Sequence, residues 1–277
     1  MPLSSLQRRI LTASLLAPVS ILAVLALPAN AFALVLSLVL LGAAWEWATL
    51  AGLAAPAGRG AYVALLGAVL PLLQVGMPPA ALVPWLTLIS LGWWLLALYL
   101  FRLQGISLAQ GLSPTAMLAG PVVLGSAWLA IRHLHGASPR GPLLVLFLFV
   151  LIWTADIAAF FTGRRWGKTK LAPVLSPGKT RAGVYGAATG AAVLGLALGL
   201  SLDLSPPAVL GSLVLCLATA LISVVGDLFE SFLKRRRGLK DSGTLLPGHG
   251  GILDRIDSLL AAAPLFVLGL IWLGVTP

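Results

Sequence analysis

The chain has 277 residues, of which 59% are apolar and only 9% charged, and it carries a formal charge of +10. That composition lies outside the globular norm and inside the range of polytopic membrane proteins. The cations sit in short loops beside apolar runs, which turns the basic balance toward anionic headgroups and phosphorylated ligands and away from nucleic acid.

A helix needs about 20 residues to cross a hydrocarbon core of roughly 30 Å. Nine candidate runs follow in order, approximately Ile10–Pro28, Phe32–Leu50, Ala61–Gly76, Leu82–Phe101, Ala116–Ala130, Leu143–Phe161, Val184–Leu202, Val209–Phe229 and Ile252–Val275. Arg8-Arg9, the apolar stretch behind them and Ala29-Asn30-Ala31 imitate a cleavable signal peptide. The distribution of charge favours retention of that segment. With nine spans and a cytoplasmic N-terminus, sixteen of the eighteen Lys and Arg residues fall on the cytoplasmic side, and only Arg132 and Arg140 fall on the other. This is the asymmetry the positive-inside rule requires, and it puts the C-terminus in the periplasm.

The sequence therefore predicts an all-α, polytopic membrane bundle of about nine helices. It forms a single membrane domain over 1–277, with the catalytic part in about 150–260. Met77-Pro78-Pro79 and Ser205-Pro206-Pro207 read as turns between spans. In the seventh span Gly186 and Gly190 stand at the GxxxG spacing, which serves tight packing within one bundle better than a dimer face. Cys216 lies in the apolar run GSLVLCLATAL and reads as inert packing, so neither a disulfide framework nor a cysteine metal site is available.

Carboxylates within spans are costly and mark functional candidates. Glu46, in AAWEWATL, is flanked by Trp45 and Trp47, whose rings suit a membrane interface, so an interfacial anchor weighs at least as much as a catalytic role. Asp156, in WTADIAAFFTGRRWGK, precedes Arg164 and Arg165 and is suited to pairing with a loop cation or helping to hold a metal. The densest constellation runs from Asp227 to Ser258 and holds five of the eight acidic residues. Asp227, Glu230, Ser231 and Lys234 are spaced to share one helix face.

Beyond a basic loop, Gly248-His249-Gly250-Gly251 leads into a helix carrying Asp254 and Asp257 one turn apart. Glycines there can turn backbone N–H groups toward an anion, and a helix start adds positive potential, so a phosphate is expected at this point. Phosphate beside carboxylate requires a cation between them. Asp227 and Asp254 thus suggest Mg²⁺, with Asp156 as a further candidate ligand and a second cation left open. The alternative is that the acids merely neutralise neighbouring Arg and Lys. His249 is as suited to capping a helix as to acting as a general base.

The loop GRRWGKTKLAPVLSPGKTRAG supplies a second cationic surface, with Lys168, Lys170, Lys179 and Arg181 on a segment that Pro and Gly keep from forming one helix. It reads as a clamp for nucleotide phosphates. Anionic-lipid contact would explain its charge but not Ser176-Pro177-Gly178-Lys179-Thr180.

From Ser231 to Asp257 the stretch SFLKRRRGLKDSGTLLPGHGGILDRID resembles the C-terminal pattern of the phosphatidate cytidylyltransferase family, the CDP-diacylglycerol synthases. AAWEW, the Asp156 region and SPGKT extend the resemblance over essentially the whole chain. It implies a dimeric, multi-span enzyme of the bacterial inner membrane that joins CTP and phosphatidic acid into CDP-diacylglycerol and pyrophosphate with a divalent metal. Matched by motif, Asp227 and Asp254 would bind metal and act in catalysis with Lys234, Asp241, His249 and Asp257. Ser176, Lys179, Thr180, Ser231, Arg235, Lys240, Gly250, Gly251 and Arg255 would bind substrate. One departure stands out: relatives usually carry an aromatic residue followed by Glu or Gln after the Lys-Thr pair, whereas this chain has Arg181-Ala182. A transporter would place its charges near the bilayer midplane on broken helices, and a lipid-binding scaffold would not need Asp227, Asp254 and the GHGG turn.

Overall fold

The computed structural model describes residues 5–75, 79–103, 108–246, 248 and 250–276. Nine helices follow one another: α1 (Ser5–Ala26), α2 (Ala29–Ala51), α3 (Pro56–Val75), α4 (Pro79–Leu103), α5 (Pro114–Gly136), α6 (Gly141–Trp166), α7 (Arg181–Ser201), α8 (Pro206–Arg236) and α9 (Leu253–Trp272). Each coincides with one of the nine predicted runs. Seven are long and apolar enough to cross a membrane within the described residues; the apolar parts of α1 and α3 are shorter. Local chemistry sets the boundaries. Proline occupies the first turn of α5, α6 and α8, where a missing N–H costs nothing. Gly52 ends α2 in the left-handed region at φ +101°, donating back to Ala48 and Thr49 carbonyls.

The helices α6, α7, α8 and α9 pack as successive neighbours, while α9 also packs on α5, α4 and α2. Consequently α5 and α9 lie deepest, with Trp128, Leu129, Ala261, Phe266 and Val267 buried. The chain is apolar outside as well, with Leu118, Tyr185 and Trp272 exposed, as expected of surfaces facing lipid. Gly186 and Gly190 face α6: a Cβ on Gly186 would overlap Thr162, and one on Gly190 would crowd Thr154 at 3.1 Å. The GxxxG pair therefore serves packing inside the bundle, as its small residues favour.

Two features differ from the sequence expectation. The basic loop between α6 and α7 is a small antiparallel hairpin, β1 (Lys170–Ala172) and β2 (Ser176–Thr180), pairing Lys170 with Thr180 and Ala172 with Ser176. The Trp47 ring is packed inside the protein rather than exposed; it is 2% exposed and its indole N–H donates to the Ala116 carbonyl of α5. Trp45 alone keeps an exposed ring, with the Arg59 guanidinium 5.8 Å from its centroid.

The C-terminal ends of α2, α6 and α8, the hairpin and the start of α9 meet at one end of the bundle. The guanidinium of Arg237, just past α8, donates to Leu50 O at 2.8 Å, Ala109 O at 3.0 Å and Gly111 O at 2.7 Å, tying α2 and the α4–α5 connection together. Burial, and after it the like charge of Arg236, pulls Arg237 below its ordinary pKa. Arg235 donates to Leu175 O in the hairpin turn and to Leu239 O. At 31 residues α8 is about 46 Å long at 1.5 Å per residue, longer than the hydrocarbon core, so its polar last turns extend the helix rather than break it.

Candidate active site

Four positions of α8, Asp227, Glu230, Ser231 and Lys234, share a stripe along one face, as their spacing predicts, and each finds partners from other elements or from one another. Lys179, reaching from β2, places its ammonium 2.6 Å from Asp227 Oδ2. The Ser231 hydroxyl donates to Asp227 Oδ1 over a long 3.4 Å, which leaves that oxygen weakly engaged. Two turns along, the Lys234 ammonium contacts Glu230 Oε2 at 2.9 Å and Asp254 Oδ1 at 2.5 Å. Lys234 thus bridges α8 to α9.

Asp254 spends its other oxygen on the backbone, accepting from Ser242 N at 2.9 Å and Gly251 N at 2.8 Å. Such a carboxylate is fully hydrogen-bonded and geometrically fixed. Glu230 is 2% exposed, and its Oε1 receives no N–H or hydroxyl donor among the described residues. The Asp257 carboxyl stands within hydrogen-bonding reach of Glu230, and accepts from its own neighbour Ser258 N at 2.7 Å. Asp156, from α6, lies within electrostatic reach of Asp227 and Lys179, as does Asp257. Three helices and the hairpin therefore bring Asp156, Lys179, Asp227, Glu230, Lys234, Asp254 and Asp257 into one charged cluster.

Other predicted residues occupy different positions. Thr180 is buried and caps α7, its hydroxyl accepting from Gly183 N at 3.1 Å. Arg235 serves the hairpin and loop carbonyls described above. Lys240, Asp241 and Arg255 are exposed and Ser176 is half-buried. Gly250 adopts φ +83° and its carbonyl accepts from Leu246 N at 2.9 Å, closing the turn. His249 lies outside the described residues.

Three N–H groups where the glycine turn runs into α9 are taken by protein carboxylates. Gly251 N–H goes to Asp254, while Ile252 N–H and Leu253 N–H go to Glu46 Oε1 at 3.1 Å and Oε2 at 2.8 Å. Carboxylates of the protein thus take these three N–H groups, because the same positive potential that draws an anion draws an acidic side chain. Glu46, left open between an interfacial anchor and a catalytic role, is buried here as the acceptor of the α9 start. It is 2% exposed, and it also accepts from the Ser242 hydroxyl at 3.0 Å. The cost of burying an acid in a span was its signal; the partners lie about two hundred residues away and leave no local pattern.

Mg²⁺ prefers oxygen ligands and takes one or two carboxylates plus phosphate and water rather than a complete protein cage. Among the described residues no three His, Cys, Asp or Glu side chains converge on a metal position. Asp227 Oδ1, weakly engaged, and Glu230 Oε1, which receives no N–H or hydroxyl donor among the described residues, are hard oxygen donors of the right chemistry. Asp254 fits less readily, since both its oxygens are taken by protein donors.

The cytidylyltransferase family model matches residues 7–272, nearly the entire chain. A phosphatidate cytidylyltransferase of Pseudomonas aeruginosa is 41% identical over 268 residues, covering 96% of this chain and 97% of the relative. One from Haemophilus influenzae is 37% identical over 280 residues, covering 94% and 97%. A third, from Brucella suis, is 46% identical over 150 residues, about half of each chain. With a charged, oxygen-rich cluster at one end of an apolar bundle and a family match that runs from the first helix to the last, this chain belongs to the cytidylyltransferase family.

Proposed function

We propose that this protein transfers CMP from CTP to phosphatidic acid, giving CDP-diacylglycerol and pyrophosphate, as a step of phospholipid biosynthesis. The observation that carries the reading is the agreement along nearly full length with two phosphatidate cytidylyltransferases. The cluster of lysines and carboxylates at one bundle end supports it chemically. A phosphate oxygen of the lipid attacks the α-phosphorus of CTP in line, the bond to the bridging oxygen breaks, and pyrophosphate leaves. Phosphatidate is already ionised near neutral pH, so no strong general base is required.

Lys179 binds nucleotide phosphate by exchanging Asp227 for it, and Lys234, held between Glu230 and Asp254, keeps a fixed positive charge beside the transferring group. When bound, Mg²⁺ supplies charge neutralisation between phosphate and carboxylate. Asp227, whose Oδ1 is only weakly engaged, would hold the ion, with Asp156, Glu230 and Asp257 close enough to share its charge; Asp254 would take part only if it gave up Lys234.

The charge asymmetry of the sequence supports a cytoplasmic N-terminus, nine crossings, a periplasmic C-terminus and a site on the cytoplasmic side of a bacterial inner membrane. Function within a homodimer, and a single domain whose catalytic part covers about 150–260, complete the proposal. Detergent-solubilised protein given phosphatidate, Mg²⁺ and each nucleoside triphosphate in turn should release pyrophosphate and form cytidine-bearing lipid with CTP. A phosphorylated lipid without cytidine would replace this reading with a kinase. Cysteine labels at positions 167 and 238 should both react from the cytoplasm.

A further inference from the structure

The start of α9 is held by two carboxylates with separate origins. Asp254 belongs to the helix itself, whereas Glu46 comes from α2 and takes the Ile252 and Leu253 amides together with the Ser242 hydroxyl. Ser242 is shared between them, its N–H on Asp254 and its hydroxyl on Glu46. Two glycines make room for this approach: a Cβ on Gly243 or on Gly251 would overlap the Glu46 carboxyl. At the other end of the same loop Arg237 grips Leu50 O, four residues beyond Glu46 and so one turn along α2. The loop from 237 to 252, which carries Lys240, Asp241 and the glycine turn, is therefore pinned at both ends to α2, far outside the stretch that holds the charged cluster.

We propose that Glu46 is a positioning residue for the transfer reaction. Acting through Ser242, Ile252 and Leu253, it fixes the loop and the first turn of α9 so that Asp254 meets Lys234 at the angle the reaction needs. The inference rests on the proposed CMP transfer. It goes beyond it by giving a reaction role to a helix that contributes no residue to the charged cluster. An ordinary helix cap would affect folding alone. A positioning role instead predicts a loss of turnover in molecules that remain folded, because an interaction that matters in the transition state lowers kcat and kcat/KM together.

The test compares Glu46→Ala, Glu46→Gln and the milder Ser242→Ala as full-length protein in detergent. Per folded molecule, Glu46→Ala should lower kcat about thirtyfold with KM for CTP and for phosphatidate within about twofold, and Ser242→Ala should lower it about fivefold. Glu46→Gln, whose single oxygen can accept from the Leu253 amide and the Ser242 hydroxyl while its NH2 replaces the oxygen facing Ile252 N, should recover part of the loss. Hydrogen exchange at residues 252–254 should accelerate in Glu46→Ala and slow again in Glu46→Gln. If Glu46→Ala does not fold, the Ser242→Ala loss decides. Wild-type kcat in both Glu46→Ala and Ser242→Ala, or equal losses in alanine and glutamine variants with unchanged exchange, overturns the proposal. A wild-type protein that forms no cytidine-bearing lipid overturns the functional reading instead, and the exchange measurement still reports whether Glu46 holds the loop.

Discussion

Lys179 and Asp227 meet with 24% and 31% of their side-chain surfaces exposed, whereas Lys234 and Asp254 meet with 11% and 4%. The first pair joins a hairpin strand to α8 by one contact and leaves Asp227 Oδ1 nearly free. The second lies between two packed helices, includes Glu230 in the same lysine's grasp, and has both Asp254 oxygens engaged. Exposed pairs contribute little to stability and exchange partners readily. Removing one member of a buried pair leaves an uncompensated charge and costs far more. The open pair can therefore release both members to a phosphate and a cation, while the closed pair is preorganised framework.

The largest effect should come from the closed pair. Asp254→Ala removes the acceptor of Ser242 N and Gly251 N as well as half of Lys234's compensation. It should cost roughly 3 kcal/mol of stability, in line with broken buried pairs, and abolish measurable turnover. Thermal unfolding in detergent, followed through the chain's tryptophans, checks the first; an unshifted transition would show that this pair is no more structural than the open one.

Asp227→Asn should do the opposite. It should lower kcat at least about a hundredfold, about 2.7 kcal/mol of transition-state stabilisation, and leave the unfolding transition in place. A Mg²⁺ titration should show the lost turnover unrecovered at any concentration. Should the variant unfold like Asp254→Ala, the distinction between the pairs fails.

Lys179→Ala removes a cation that contacts phosphate in the ground and transition states alike, so KM for CTP should rise about tenfold with kcat nearly unchanged. An unchanged KM would assign this lysine to topology or lipid contact.

The comparison also shows what could be read from residues alone. All nine helices were legible, seven of them because an apolar run long enough to span a bilayer has few alternatives, and α1 and α3 from shorter apolar runs. So was the face shared by Asp227, Glu230, Ser231 and Lys234, since helical spacing sets it. The hairpin was not: three and five residues around a turn carry no periodicity to detect, and Pro and Gly said only that no helix runs through. Nor was the destination of the N–H groups at Gly251, Ile252 and Leu253. A helix start draws negative charge, but whether that is a ligand or a distant glutamate depends on tertiary packing of α2 against α9.

The smallest effect is expected at Arg181-Ala182, where the family resemblance implies an aromatic residue followed by Glu or Gln. Thr180 caps α7, so Arg181 and Ala182 are its first two helical residues, and Arg181 is exposed. A carboxylate in the first turn of a helix interacts favourably with the unpaired N–H groups there, by about 0.3–1 kcal/mol. Ala182→Glu should thus stabilise α7 slightly, and pairing with exposed Arg181 would add little. If an acid or amide at this position orients substrate in relatives, this chain should accept one without penalty, with kcat/KM changing less than about threefold. A larger fall, reversed in Arg181→Ala/Ala182→Glu, would show that the site is built around the free Arg181 guanidinium, and would make the hairpin end of α7 part of the open pair's exchange of partners rather than its support.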